Sequence, residues 1–282
     1  MKCFHHDDID GRSAGALIAI HEDNFDQENF FEVNYVQKLP IDRIKPDEKV
    51  YFVDYSFSKN TVDVLREILS ITKNVVWIDH HKSSVEMLND NPDLKSIDGI
   101  VKEGISGAAL TYMYLYSEQY SNIPLYLKYV SDFDCWHLKL TNIMEFKYGV
   151  ECYDYKALSD FWIRLMENDT GTENKFLQEI IGNGTVVRRH SENEFRRLIE
   201  ENSYERDVEG YKALILNSDG FSQVFGDKIN DYDVCILWSY IDGRYVYSIY
   251  STKVDVSKIA EKYSGGGHFG AAGFSSTELL FK

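Results

Sequence analysis

Apolar runs that stop abruptly on an acid constrain this chain more than any other feature. Val75-Val76-Trp77-Ile78 ends in Asp79-His80-His81, and Val50-Tyr51-Phe52-Val53 ends in Asp54. A short apolar run bounded by polar residues fits a strand buried on both faces, as in a parallel sheet. Strand candidates fall at 2–6, 30–36, 49–54, 74–79 and 97–101, and helical stretches lie between them near 12–22, 60–71 and 106–119. This alternation predicts an α/β fold whose parallel sheet carries helices on both faces. Open sheets of that kind place their ligands at the carboxyl ends of the strands, where these acids stand.

The N-terminus repeats the pattern. Lys2-Cys3-Phe4-His5-His6 reads as a strand, Asp7-Asp8-Ile9-Asp10-Gly11 follows, and a helix begins near Arg12. His6, Asp8 and Asp10 alternate, so an extended segment projects them to one side. Gly11 permits a tight turn into a helix whose N-terminus favours an anion. The bland reading is a solvated acidic turn with one aspartate as N-cap. His5 competes with His6, because adjacent strand residues face opposite ways and only one can join the cluster directly. The bland reading of Asp54 is a helix or turn cap before the next helix, which Asn60-Thr61 could start equally well. Asp132 and Asp134 interrupt the apolar stretch Tyr129–Trp136. Buried carboxylates are costly unless paired or bound to a metal, and a plain surface helix end suits Asp134 better than Asp132. Carboxylates together with imidazoles suit Mn²⁺, Zn²⁺ or Fe²⁺.

These pieces together resemble the DHH phosphoesterase family. The carriers are His6-x-Asp8-x-Asp10-Gly11, the strand-end Asp54, Asp79-His80-His81, Asp132 in a fourth motif, and Ser106-Gly107-Ala108-Ala109 opening a helix. Ser264-Gly265-Gly266-Gly267-His268-Phe269-Gly270-Ala271-Ala272-Gly273-Phe274 is similar to the glycine-histidine signature of the DHH-associated C-terminal domain. The resemblance implies two divalent ions, Mn²⁺ first and Mg²⁺, Co²⁺ or Fe²⁺ as alternatives. One would take His6, Asp8 and Asp54, and the other Asp10, Asp54, His80 and Asp132, with Asp54 as the bridge. It implies catalytic roles for His81, which would face the phosphate, and for Asp79 behind it as the acceptor that fixes a tautomer. Gly265, Gly266, Gly267 and His268 would contact substrate phosphate, with Ser106 and Tyr250 also on the substrate. Relatives carry an arginine where Ser248-Ile249-Tyr250-Ser251 stands, and Tyr250 offers stacking or one hydrogen bond in its place, with Lys253 as a substitute charge.

The chemistry is coherent. Two cations about 3.5–4 Å apart neutralise a phosphodiester, lower the pKa of a bridging water and stabilise an in-line displacement. The resemblance therefore implies a phosphoesterase that attacks by metal hydroxide and releases mononucleotides from dinucleotides or short oligonucleotides. Exopolyphosphatase, pyrophosphatase or 3′-phosphoadenosine 5′-phosphate phosphatase activity is the enzymatic alternative, and a non-catalytic nucleotide sensor is the alternative from another class.

Composition bounds the rest. A formal net charge of −16 over 282 residues opposes tracking of long duplex nucleic acid, which needs many lysines and arginines on phosphates, and favours a short anionic substrate. No apolar run approaches the ~20 residues of a membrane span. The charged residues at 7, 8 and 10 do not read as a signal peptide. Cys3, Cys135, Cys152 and Cys235 lie far apart and read as reduced thiols of a cytoplasmic protein. A homodimer is compatible with all of this. The expected organisation is a metal-binding domain at 1–180, a helical connector at 181–203 and a smaller mixed α/β domain at 204–282. That domain would have strands near 211–217, 233–240 and 244–250, and Asp242-Gly243 would turn the last pair into a hairpin. The active site is expected in the cleft between the domains.

Overall fold

The computed structural model describes residues 1–35, 38–167, 174–220, 222–267 and 269–281. It divides into two compact units, Met1–Val187 and Arg188–Lys282.

In the first unit the order is β1 (Lys2–His6), α1 (Ile9–His21), β2 (Phe30–Val33), β3 (Val50–Val53), α2 (Val62–Ile71), β4 (Val75–Asp79), α3 (Lys82–Asp90) and β5 (Asp98–Val101). Then come α4 (Gly107–Tyr116), α5 (Leu125–Asp134), α6 (Ile143–Val150), α7 (Asp160–Glu167) and α8 (Lys175–Asn202), which runs on past the unit boundary. The five strands are all parallel, in the order β2-β1-β3-β4-β5. Chain direction across the sheet reverses between β1 and β3, so a crevice opens outside their carboxyl ends.

The period of two explains why whole strands are apolar. Cys3, Tyr51, Val53, Val76 and Ile78 face a core completed by residues such as Leu17 of α1, Leu110 of α4 and Val130 of α5. Phe4, Val50, Phe52, Val75 and Trp77 face the other core, with Leu65 and Ile68 of α2 and Met87 of α3. Each fully buried aliphatic or Phe side chain here contributes about 1.5–3 kcal/mol of transfer free energy.

Some boundaries differ from the sequence expectation. Helix α1 starts at Ile9 rather than near 12, because Asp8 caps it and accepts from the Gly11 N–H at 2.9 Å. Strand β2 ends at Val33, and residue 36 of the expected strand lies outside the described residues. Helix α3 was not foreseen, since only Ser84 and Met87 of its nine residues are buried and the apolar stripe is too thin to read. Helix α8 is continuous through Gly182 and Gly184. Gly184 lies where a Cβ would meet the Glu145 carbonyl oxygen at 1.7 Å.

The second unit holds β6 (Tyr204–Val208), β7 (Tyr211–Asn217), β8 (Val234–Ile241), β9 (Arg244–Tyr250), α9 (Ser257–Lys262), β10 (Gly266–Gly267) and β11 (Ala271–Ser276). Its sheet runs β10-β11-β9-β8-β7-β6 and is antiparallel except between β7 and β8. Asp242 and Gly243 have φ of 49° and 81°, the paired positive values a two-residue type I′ hairpin needs, and Ile241 pairs with Arg244 across it. Strand β6 is an exposed, charged edge strand, Glu205-Arg206-Asp207, which gives no apolar signal. One face of the sheet packs Ile236, Tyr247 and Ile249 on Ile259 of α9. The other packs Leu214, Leu216 and Leu237 with Phe225 and with Phe195, Leu198 and Ile199 of α8.

Among the described residues no helix is long and apolar enough to cross a membrane. All four cysteines are free thiols.

Candidate metal centre

The strand ends of β1, β3 and β4 deliver most of the expected donors to one place. His6 closes β1, and its Nδ1 lies 2.7 Å from Asp8 Oδ2 and 4.0 Å from Asp54 Oδ2. Gly11 is obligatory beneath it, since a Cβ there would meet the His6 carbonyl oxygen at 2.4 Å and the His6 Cβ at 2.6 Å. The His5 ring turns the other way and is 1% exposed. Its Nδ1 bonds the His6 carbonyl oxygen at 2.9 Å, and Gly15 leaves room for the ring. Strand alternation thus gives the acidic cluster to His6.

Asp54 follows β3 in a left-handed conformation with φ 53°. It is 1% exposed, and neither carboxylate oxygen has a hydrogen-bond partner. His80 Nε2 stands 3.2 Å from Asp54 Oδ1 without the alignment of a hydrogen bond. Asp10, from the first turn of α1, accepts from the Gly107 and Ala108 N–H groups at 2.6 and 2.9 Å. A carboxylate at the N-terminus of α4 offsets that helix's dipole. Ser106 is the N-cap of α4 and fully buried: its Oγ accepts from Ala109 and its N–H donates to Ser131 Oγ. Ser106 therefore shapes the turn that holds Asp10. Gly107 is needed because a Cβ would come within 2.6 Å of the Asp54 Cβ.

His80 gathers the acids. Its Nε2 lies 3.2 Å from Asp54, 3.1 Å from Asp134 Oδ2 and 3.8 Å from Asp10 Oδ2. Asp132 is elsewhere. Its Oδ2 accepts from the Lys139 and Leu140 N–H groups at 2.8 Å each, and it organises the loop after α5. The expectation that Asp132 joins the cluster and Asp134 does not is thus reversed. Residues two apart on a helix point in nearly opposite directions, and α5 turns Asp134 toward His80. The one available signal was the spacing itself, which lets either acid but not both face the strand ends.

Behind the cluster runs a hydrogen-bonded chain. His81 Nδ1 lies 2.7 Å from Asp79 Oδ1, and Ser84 Oγ donates to Asp79 Oδ2. Ser84 Oγ in turn meets Ser56 Oγ at 2.9 Å, and Ser56 meets Ser83 at 2.6 Å. Asp79 is fully buried, and a buried carboxyl group needs such hydrogen-bond partners.

The electrostatics are those of a site built for cations. Burial pushes Asp54 well above the usual carboxylate range, and the charge of Asp10 adds to it. Burial likewise pushes Asp10 up to about 7, with Asp134 acting the same way and His80 opposing. Burial alone would lower His80, but contacts with Asp134 and Asp54 outweigh that and hold it well above the ordinary imidazole value. Asp8 is held low: burial would raise it, and the bond from His6 overcomes that. Among the described residues three groups each bring one donor atom per residue within 4.8 Å of one another: His6, Asp8 and Asp54; Asp54, His80 and His81; and His80, Asp134 and Cys135. Asp54 belongs to two of them. Hard oxygens with imidazole nitrogens fit Mn²⁺, Zn²⁺ or Fe²⁺, and two orphaned buried oxygens on Asp54 fit a bound cation.

The remaining expected residues lie in the second unit. Tyr250 is half-buried against the Leu214–Leu237 core. Gly265 N–H donates to the Ala260 carbonyl, ending α9, and a Cβ at Gly265 would strike the Gly273 oxygen at 2.1 Å. Gly266 and Gly267 pair with Gly273 and Ala272, and Gly267 has φ 149°. His268 lies outside the described residues. Lys253 is tied to its own unit, where its Nζ donates to the Asn230 and Tyr232 carbonyls. Lys258 and Lys262 are paired with Glu261 and Glu209.

No family model matches the chain. It is 27% identical over 249 residues to an uncharacterized protein of Acanthamoeba polyphaga mimivirus, a match that covers 83% of this chain and 54% of that protein. The chain thus spans about half the length of the curated relative it matches. Among solved structures it is similar to the pGpG-specific phosphodiesterase PggH of Vibrio cholerae, with a TM-score of 0.56 at 11% identity, covering 98% of this chain and 93% of that one. A DHH domain from a member of the s1p family of ribosomal proteins gives a TM-score of 0.56 at 14% identity, covering 96% and 81%. RecJ of Thermus thermophilus in complex with Mn²⁺ gives 0.50 at 16% identity, covering 99% of this chain and 50% of RecJ. The architecture is therefore that of DHH-type proteins.

Proposed function

We propose that this chain is a metal-dependent phosphoesterase that hydrolyses dinucleotides or short oligonucleotides, with Mn²⁺ as its preferred ion. One observation carries the reading: Asp10, Asp54 and Asp134 converge on the single imidazole of His80, while both oxygens of Asp54 are buried without a donor. Bound cations would stabilise such a surplus of carboxylate. His6, Asp8 and Asp54 would hold one ion, and Asp54, His80 and Asp134 the other, with Asp10 buried beside His80. Bound there, a pair of divalent ions would neutralise phosphate and supply a nucleophilic water near neutral pH.

The chain's own groups do the rest. Asp79 takes the Nδ1 side of His81, which leaves Nε2 as the polar ring atom turned to substrate. His81 would bind and orient a phosphate oxygen there. Ser84, itself bonded to Ser56, holds the Asp79 carboxyl in place and so keeps the His81 ring fixed. Asp10, pinned by the α4 amides, sets how far the α1 turn stands from His80. The net charge of −16 and the paired lysines of the second unit support a short substrate over a long polymer. The fold likeness to a pGpG-specific phosphodiesterase agrees with that.

The test is a panel of dinucleotides, longer oligomers and polyphosphate, assayed with Mn²⁺, Mg²⁺ and EDTA. Mn²⁺-dependent release of mononucleotides from the shortest substrates is expected, with loss of turnover in His80→Ala. Full activity after exhaustive chelation, or in His80→Ala, refutes the proposal.

A further inference from the structure

A cavity of about 530 Å³ opens beside His81 on the edge of the first unit. Its volume lies within the usual range for small-ligand pockets. Its wall is Tyr35, Tyr55, Leu39, Ile41 and Val64, and the Tyr35 and Tyr55 rings stack at 5.3 Å and 26°. Tyr35 is 52% exposed, while Tyr55 is buried behind it. The Tyr35 hydroxyl is fixed by the Ser56 N–H at 3.1 Å, and its ring packs against both His6 and His81. A rigid aromatic plate therefore leads from the metal centre into the cavity.

The rim is polar and uncommitted. Lys38, Asn60 and Glu67 line it. Their side chains enter no hydrogen bond or ion pair among the described residues. The set offers a donor, a donor–acceptor pair and an acceptor above an aromatic floor. Inorganic phosphate or polyphosphate has no use for such a wall, because an apolar surface repels a fully hydrated polyanion. A flat heterocycle with mixed edge polarity fits it, since every base has a π-face that stacks on an aromatic ring. We infer that this cavity is a nucleobase subsite, which holds the base of a nucleotide whose phosphate lies at His81. The inference rests on the proposed phosphoesterase reading and gives the base of its nucleotide substrate a place on this chain. It also accounts for Tyr35, which the chemistry at the metals does not need.

The test is direct binding, measured by calorimetry in EDTA, of guanosine and adenosine 5′-monophosphates against inorganic phosphate. Parent protein is expected to bind a nucleotide roughly ten- to hundredfold more tightly than phosphate, the range that base stacking supplies. Val64→Trp, which fills the cavity, is expected to abolish that preference, and Tyr35→Ala to reduce it about tenfold or more. Mn²⁺ titration of each variant reports whether its fold and metal centre are intact. Lys38→Ala and Asn60→Ala, at exposed positions, change the guanine-to-adenine ratio if the rim reads the base. A parent that binds phosphate as tightly as nucleotides overturns the subsite, and so does a Val64→Trp protein with intact Mn²⁺ binding and unchanged nucleotide affinity. Hydrolysis of phosphoesters without nucleotide preference refutes the subsite and leaves the phosphoesterase standing. Nucleotide binding lost in Val64→Trp, in a protein that hydrolyses no phosphoester, refutes the enzyme and leaves the binding pocket.

Discussion

Asp54→Asn is expected to make the metal-free protein more stable while removing its response to metal. The side chain keeps its shape, loses its charge, and sits where neither oxygen has a donor. Without cations, burial and the neighbouring Asp10 disfavour the ionised form of Asp54, and Asp10 and Asp134 crowd the same imidazole of His80. Asparagine removes the ionisable group that desolvation and repulsion disfavour there. Unpartnered buried polar groups cost about 1–3 kcal/mol by mutational measure. For a unit of residues 1–187, 1 kcal/mol moves the melting midpoint about 2–4 °C. A rise of about 2–12 °C in EDTA follows. The parent should gain about 2.7 kcal/mol from Mn²⁺ at a hundredfold excess over its Kd, or about 5–11 °C, and Asp54→Asn should gain little. The assay is thermal unfolding of both proteins at neutral pH with EDTA and with Mn²⁺. If Asp54→Asn melts below the parent in EDTA, Asp54 is a structural acid and the reasoning fails.

Four further outcomes are expected. In EDTA, stability should fall as pH rises from about 4 to about 7, opposite to the usual acid-side loss, because the raised folded pKa of Asp10 favours its protonated form. A rise from 3.8 to about 7 at about 1.4 kcal/mol per pH unit gives up to about 4 kcal/mol, and a flat chemical-denaturation profile over that window would contradict it. Asp134→Asn should weaken Mn²⁺ binding at least about tenfold in calorimetry. Asp132→Ala should instead lower the melting midpoint, since two charge-assisted bonds worth about 1.5–3 kcal/mol each are lost; the reverse ranking for metal affinity would restore Asp132 to the cluster. Ser84→Ala strips a donor from buried Asp79 and should cost about 1–3 kcal/mol and about 10–100-fold in turnover, read by denaturant titration and steady-state rates. Gly107→Ala, which would gain up to about 1 kcal/mol in an ordinary helix, should instead destabilise the protein and weaken Mn²⁺ binding, because its Cβ meets Asp54 at 2.6 Å; a more stable variant with normal Mn²⁺ affinity would show that Asp54 has room to move.

The parts of the molecule legible in the sequence were those with strong periodicity. Strands β1, β3 and β4 are buried on both faces and announce themselves as unbroken apolar runs, and the Asp242-Gly243 hairpin has only one economical backbone. Helix α3 and strand β6 escaped because few of their side chains are buried. Alternation admitted only one of His5 and His6 and the family resemblance chose His6, while Asp54 stood out at a strand end, a matter of local geometry. The choice between Asp132 and Asp134 depends on the rotation of α5 about its own axis, and tertiary packing sets that. Tyr35 carried no signal: a tyrosine after a strand becomes meaningful only once Tyr55, His6 and His81 surround it.

The clamp of the α4 amides on Asp10 ties together positions 97 and 98 residues apart. Until that distant segment arrives, the acidic turn after the first strand has nothing to hold it, and a partly built chain would own donors without a socket. Completion of the sheet and competence to capture an ion are in that sense one event. Splitting the protein anywhere between residues 10 and 107 should yield fragments that recover ion capture only when recombined.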